Sequence, residues 1–258
     1  MSVYTMCSYC PRLCRHVCPV AVATGREAAT VTSMMSAALL VERGAMDATF
    51  GVAGTSLCLG CGACTAHCAL HIPVPELLRP FRDRVLPEPL ALIDGPARTV
   101  CVLTRGDWSA TWSRREGVAV AILRTGDALG HAAWKQGSVD ILPAVAAHLS
   151  GRDVVTASGA AAEVLTAAGI PVRRLATPPS ERVFHTCHDG PRSGPDQLAC
   201  CGRREGFAER EPDAAREVAE ENVRLLAGAK IACVDEECTA WLREHGGDVI
   251  GPGDTEEP

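Results

Sequence analysis

Aromatic side chains are scarce in this chain: two tyrosines, four phenylalanines and four tryptophans make up 4% of its 258 residues. Dense clusters of Lys and Arg are missing too, and the formal net charge is -6. Nucleic acids are held by a basic footprint and commonly by stacking rings, so a nucleic-acid partner is not expected. No stretch approaches the roughly 18 uninterrupted apolar residues of a membrane-spanning helix. The N-terminal "MSVYTMCSYC" lacks the basic segment and apolar run of a secretory leader, and the expectation is a cytoplasmic chain. No G-x-G-x-x-G follows a strand-like run and no phosphate loop is present, so flavin or nicotinamide binding is expected to belong to a partner. "GTS" at 54–56 lacks the context of a nucleophile elbow.

What the chain has instead is cysteine, 14 in all. With 47% hydrophobic residues it can bury a real core and needs no disulfide scaffold. In a reducing compartment so many thiols point to metal or redox chemistry. They fall at residues 7–18, 58–68 and 187–238, with Cys101 alone between the second and third groups.

The run Cys58-x2-Cys61-x2-Cys64-x3-Cys68 has the spacing that offers thiolates from a tight loop to a cubane 4Fe-4S cluster, with Gly60 and Gly62 letting the backbone fold closely around it. The run Cys7-x2-Cys10-x3-Cys14-x3-Cys18 ends in Pro19, the Cys-Pro pair that commonly follows a last ligand. In two-cluster ferredoxins three cysteines of each run hold one cluster and the fourth holds the other. The expected sets are therefore Cys7, Cys10, Cys14 and Cys68 for one cluster, and Cys58, Cys61, Cys64 and Cys18 for the second. Structural zinc is the alternative, though zinc ribbons use separated C-x2-C pairs. His16, His67 and His71 stand beside these thiols as candidate supporting donors, with ordinary hydrogen bonding as the simpler role.

Composition divides the chain near residue 96. Residues 27–46 carry apolar residues at helical spacing, with Gly44 placed to close a helix. Pro73, Pro75, Pro80, Pro87, Pro89 and Pro96 interrupt helix and suggest an extended connector. Beyond it, "TVCVLT", "VAVAIL", "DVVTA", "VFHTC" and "KIACV" read as strands alternating with helices at 138–149, 159–168, 212–227 and 238–245. The expected fold class is α+β multidomain: a helical region over 1–95, an α/β region over 96–182 and 183–250, and a disordered tail over 251–258.

The spacing of "CSYCPRLCRHVCPV" followed by "CLGCGACTAHCALHIPVPELL" resembles the helical ferredoxin dicluster modules of the glycolate oxidase iron-sulfur subunit, the anaerobic glycerol-3-phosphate dehydrogenase C subunit and heterodisulfide reductase. The later "VFHTCHDGPRSGPDQLACCGRREGF" and "KIACVDEECTAWL" resemble the cysteine-rich CCG domain of the same families. That unit usually occurs twice, and here residues 96–182 read as a degenerate first half. Ala128-Leu129-Gly130 stands where Cys-Cys-Gly would, and 153–165 lacks the closing cysteine pair.

The resemblance implies a third iron-sulfur cluster on Cys187, Cys200, Cys201 and Cys238, with Cys233 as a lesser candidate ligand and Asp235 in the place of the penultimate thiol. Zinc on these thiols remains an alternative, and His185 and His188 flank Cys187. It also implies an electron-transfer subunit of an oxidoreductase complex. Its partner would be an FAD-linked hydroxyacid-type dehydrogenase, its acceptor a quinone, a membrane-associated acceptor or another carrier. Two other readings stay open: a heterodisulfide-reductase-like subunit acting on a disulfide at the C-terminal site, and a noncatalytic iron-sulfur sensor or scaffold.

Overall fold

The computed structural model describes residues 2–11, 14–81, 99–103, 118–122, 135, 141–175, 180, 182–189, 197–204, 207–252 and 254. Within them the chain is mixed α and β with a helical N-terminal region. The expected boundary near Pro96, the Ala128-Leu129-Gly130 segment and most of the acidic tail lie outside the described residues. No helix among the described residues is long and apolar enough to cross a membrane.

Contacts divide the chain into two units whose segments interleave. One comprises Met1–Asp83, His185–Gly228 and Glu244–Gly247, and the other Arg84–Phe184, Ala229–Arg243 and Asp248–Pro258. The third cysteine group is thereby parted. Cys187, Cys200 and Cys201 belong to the first unit, Cys233 and Cys238 to the second.

The first unit opens with short helices: α1 (Val3–Ser8), α2 (Pro19–Thr24), α3 (Val31–Glu42), α4 (Ala48–Thr55), α5 (Ala63–His67) and α6 (Val74–Leu78). Their starts are set by side-chain caps. Ser2 accepts from the Thr5 N–H, Thr30 from Ser33 and Asp47 from Phe50. The helix expected over 27–46 is resolved into a 3-10 turn at Glu27–Ala29 and α3, closed as expected at Gly44 (φ 67°). The proline reading needs correction at its start. Pro75 lies in the first turn of α6, where a missing N–H costs nothing, and Arg79–Phe81 continues as a 3-10 turn.

Met34, Met35 and Ala38 of α3 pack with Leu78 of α6, Val74 and the thiol-bearing Cys7 and Cys58. Helix α4 approaches α3 so closely that a Cβ on Gly54 would collide with that of Ala37. A Gly54→Val protein is expected to lose about 1–3 kcal/mol from this overpacking, read as a lowered urea midpoint of far-UV ellipticity. An unchanged midpoint would mean that the two helices part at little cost.

The later part of this unit carries α9 (Phe207–Arg210) and α10 (Pro212–Leu225). Pro212 opens α10, Asp213 sits in its first turn, Arg224 in its last, and Gly228 (φ 85°) follows, all favourable to the helix dipole and its termination. Its apolar face of Ala214, Ala215, Val218 and Ala219 is buried, and α10 packs against α2.

In the second unit β1 (Thr99–Leu103), β2 (Val118–Ile122), β3 (Asp153–Thr156) and β4 (Val172–Arg174) form a parallel sheet in the order β2-β1-β3-β4. Cys101 lies on β1, paired in register with Val120 and Val155. Helix α7 (Leu142–Leu149) and α8 (Gly159–Ala167) enclose a core of Val145, Leu149, Val154, Ala161, Val164 and Leu165. Strands β5 (Arg182–Phe184), β6 (Ile231–Cys233) and β7 (Val249–Ile250) form a second parallel sheet, β5-β6-β7, with α11 (Glu236–Glu244) as the β6–β7 crossover. Parallel neighbours require such crossovers. The β3-α8-β4 and β6-α11-β7 segments repeat the same device. Within the described part of the tail, Gly251 donates to Asp254 at 2.6 Å, and Arg243 pairs with the same carboxylate.

Candidate iron-sulfur centres

Two hollows in the N-terminal helices are ringed by thiols. One, of about 320 Å³, is lined by Cys7, Cys10, Cys14 and Cys68 together with Met6, His67 and Ile72. The other, of about 20 Å³, is lined by Cys18, Cys58, Cys61 and Cys64 beside Pro19, Met34, Gly60 and Gly62. Cys64 borders both. The last cysteine of each run, Cys18 and Cys68, thus lies among the thiols of the other run.

Local sequence explains the crossing. Cys18 is the N-cap of α2, with Pro19 in the first helical position, so the Cys-Pro pair turns the chain from the 3-10 segment Arg15–Val17 into a helix. Gly60 and Gly62 have φ of 71° and 78°, left-handed values that glycine adopts without strain, and Gly62 caps α5. Cys68 closes α5 at its other end, its N–H bonded to the Cys64 carbonyl at 3.0 Å. His16 and His67 meet edge to face with ring centroids 4.7 Å apart.

The thiols repel one another's charge. Burial pushes Cys7 up to about 11, with Cys14, Cys10 and Cys68 adding to it. Burial likewise raises Cys18 to about 11, against backbone hydrogen bonding from Ala21 and with reinforcement from Cys58 and Cys14. Cys64 is raised by burial and by Cys58, Cys18 and Cys14; Cys61 is raised by burial, Cys18, Cys64 and Cys187. Crowded thiols of this kind ionise readily when a cationic centre lies among them.

Backbone groups of Ala21 and Val20 beside Cys18, of Ala63 beside Cys61 and of Thr65 beside Cys64 oppose these rises. Hydrogen bonds to sulfur are a principal means by which a protein tunes a cluster. Among the described residues, no three His, Cys, Asp or Glu side chains converge closely enough to grip one ion. The donor chemistry and the arrangement fit two cubanes, which would supply one-electron chemistry.

The CCG turn lies in the same unit. Cys187 begins a 3-10 turn at Cys187–Asp189, and its Sγ is 3.8 Å from that of Cys200. Arg204 donates to the Cys187 Sγ at 3.3 Å and lies 3.3 Å from His188 Nδ1. Cys187 is raised by donating to Cys200, by burial and by the Cys200 charge, while His188 and Arg204 oppose the shift. Cys61 lies within electrostatic reach of both Cys187 and Cys200. Cys201 is buried beside them.

Several supports of this turn escape a motif reading. Asn222, fully buried in α10, donates to the carbonyls of Cys200 and Val218 at 3.0 Å and accepts from the Leu198 N–H at 2.9 Å. Gln197 accepts from the His185 N–H and donates to its carbonyl. The signal for Asn222 was available: an amide set in the apolar stripe of an amphipathic helix. An Asn222→Ala protein is expected to lose about 2–3 kcal/mol, because buried backbone groups lose their partners. Its Cys200 and Cys201 should alkylate faster than the wild-type thiols; equal rates would mean that the turn does not depend on this amide.

In the second unit Cys233 ends β6, fully buried, and donates to the Asp235 carbonyl at 3.4 Å. Cys238 is buried in the first turns of α11, its N–H bonded to Asp235 Oδ1 at 3.0 Å. Asp235 also accepts from the Gly159 N–H at 2.5 Å, so one carboxylate serves the start of α11 and that of α8, whose own N-cap is Ser158.

Residues 4–72 match the family model described as a 4Fe-4S dicluster domain. No curated protein and no solved structure matches the chain. The matched span holds all eight cysteines of the two hollows, and the chain is an iron-sulfur protein whose N-terminal region is of the 4Fe-4S dicluster type.

Proposed function

We propose that this protein is an electron-transfer subunit of an oxidoreductase complex, passing single electrons between an FAD-linked hydroxyacid-type dehydrogenase and a quinone or other acceptor. The adjacency of the thiol sets carries the reading: Cys64 borders both hollows, and Cys61 lies within reach of Cys187 and Cys200. Centres placed in series are suited to moving electrons and do not by themselves oxidise a metabolite. The C-terminal thiols hold a third cluster in a CCG domain whose first half has lost its ligands, and the complex works in the cytoplasm or at the membrane surface.

The test is capture of the tagged chain from its native host under anaerobic conditions, with flavin and iron quantified and the EPR spectrum followed on addition of a 2-hydroxyacid. Co-purifying flavin and substrate-dependent cluster reduction are expected. Clusters that copurify without flavin and ignore every hydroxyacid would overturn the assignment.

A further inference from the structure

The two N-terminal hollows differ in the side chains that surround their thiols. Around the Cys58, Cys61, Cys64 and Cys18 set, Pro19, Met34, Leu59, Gly60, Ala63 and Pro75 are all buried and Gly62 is half-buried. Around the Cys7, Cys10, Cys14 and Cys68 set, Ile72 is buried, but Met6, His67, Ala69 and Leu70 are exposed. Leu70 is 66% exposed, and Tyr9, between Cys7 and Cys10 in the chain, is 78% exposed. These are the two most exposed large apolar side chains among the described residues.

Local structure puts Leu70 there. The His71 N–H bonds the Cys68 carbonyl at 2.9 Å, so Ala69 and Leu70 are the two central residues of a tight turn that starts at Cys68 itself. The other set has inward neighbours: Cys64 borders both hollows, and Cys61 lies within electrostatic reach of Cys187 and Cys200.

We propose that the Cys7, Cys10, Cys14 and Cys68 centre is the electron port of this chain, and that the Cys58, Cys61, Cys64 and Cys18 centre is an internal station behind it. Electron exchange weakens steeply with distance, and the turn at Leu70 is where an outside carrier comes nearest to a centre. Each crossing moves one electron between centre and carrier, with no bond or proton transferred. The inference rests on the electron-transfer reading and adds to it which centre faces outward. Among the described residues lining the port there is no Lys, Arg, Asp or Glu, so a single introduced charge is a clean probe of it.

The full chain is purified anaerobically with its iron, reduced with dithionite and freed of excess reductant. It is then mixed in a stopped flow with ferricyanide, an anion, or hexaammineruthenium(III), a cation, each molecule of which takes one electron. Leu70→Lys is compared with Met46→Lys, since Met46 is 46% exposed and borders neither hollow. Both positions lie on the surface, so both variants should keep the wild-type iron content. Leu70→Lys is expected to speed oxidation by ferricyanide about three- to tenfold at low ionic strength and to slow that by hexaammineruthenium(III), both changes shrinking at about 1 M salt. Met46→Lys should leave both rates unchanged. A dissolved dysprosium chelate should speed the spin relaxation of the centre lost in Cys68→Ser more than that of the centre lost in Cys18→Ser.

Equal enhancement of the two centres, or the reverse order, would overturn the proposal, as would equal effects of the two lysines. Should that occur while a 2-hydroxyacid still reduces the centres through copurifying flavin, the port is wrong and the electron-transfer subunit stands. A Leu70→Lys effect in protein that no hydroxyacid reduces would uphold the port and remove the proposed partner.

Discussion

Serine in place of Cys18 is expected to empty the hollow ringed by Cys58, Cys61 and Cys64, and serine in place of Cys68 the one ringed by Cys7, Cys10 and Cys14. Each substitution should remove about four irons with an equal amount of sulfide, together with the EPR signal of that centre in the dithionite-reduced protein. Double substitutions make the crossing visible. Cys18→Ser with Cys61→Ser should lose no more iron than either alone, because both strike one centre. Cys18→Ser with Cys7→Ser should lose about eight, because they strike two. If Cys18 instead behaves as one unit with Cys7, Cys10 and Cys14, each run holds its own cluster and the crossed arrangement is wrong. The effect is large because a cubane that loses a thiolate has no nearby donor of equal strength; His16 and His67 face each other through their rings.

Replacing Asp235 with alanine is expected to cost about 2–4 kcal/mol, among the largest losses from any single polar side chain here. Its carboxylate is 2% exposed and accepts the Gly159 and Cys238 N–H groups, while the Glu236 N–H donates to the Ala157 carbonyl at 3.1 Å. Two helix starts thus lean on one side chain. Asp235→Asn keeps one acceptor oxygen and should recover about half of the loss. Urea denaturation followed by ellipticity reads both variants, and iron analysis should find the N-terminal centres still filled. A loss below about 0.5 kcal/mol for the alanine variant would show that water replaces the carboxylate at both ends.

Periodicity made the longer elements legible. The expected helices at 212–227, 159–168 and 238–245 are found at Pro212–Leu225, Gly159–Ala167 and Glu236–Glu244. The reading over 230–234 ran one residue past β6 at each end, and that over 183–187 missed Arg182 and ran three residues past β5 into the turn at Cys187. Strands β4 and β7 were missed because three and two residues carry too little alternation to distinguish them from loop. Cysteine spacing marked the thiols of both hollows, because ligand geometry is written in local sequence. The placement of α10 against α2 was not legible, since it follows from contacts between distant segments. The same holds for Asp235: the sequence placed it where a thiol would stand but could not show the two helix ends it serves.

The packing of α2 against α10 bears on how the chain is made. Arg26 and Glu217, 191 residues apart, are paired at 2.7 Å beside that contact. At the usual rate of synthesis, about 5–20 residues per second, α2 leaves the ribosome roughly 10 to 40 seconds before α10 can cover it. During that interval the early module must wait with the face of α2 that meets α10 uncovered, and any iron delivered to it meets a protein still lacking that helix. A fragment ending near residue 95 makes that transient condition permanent.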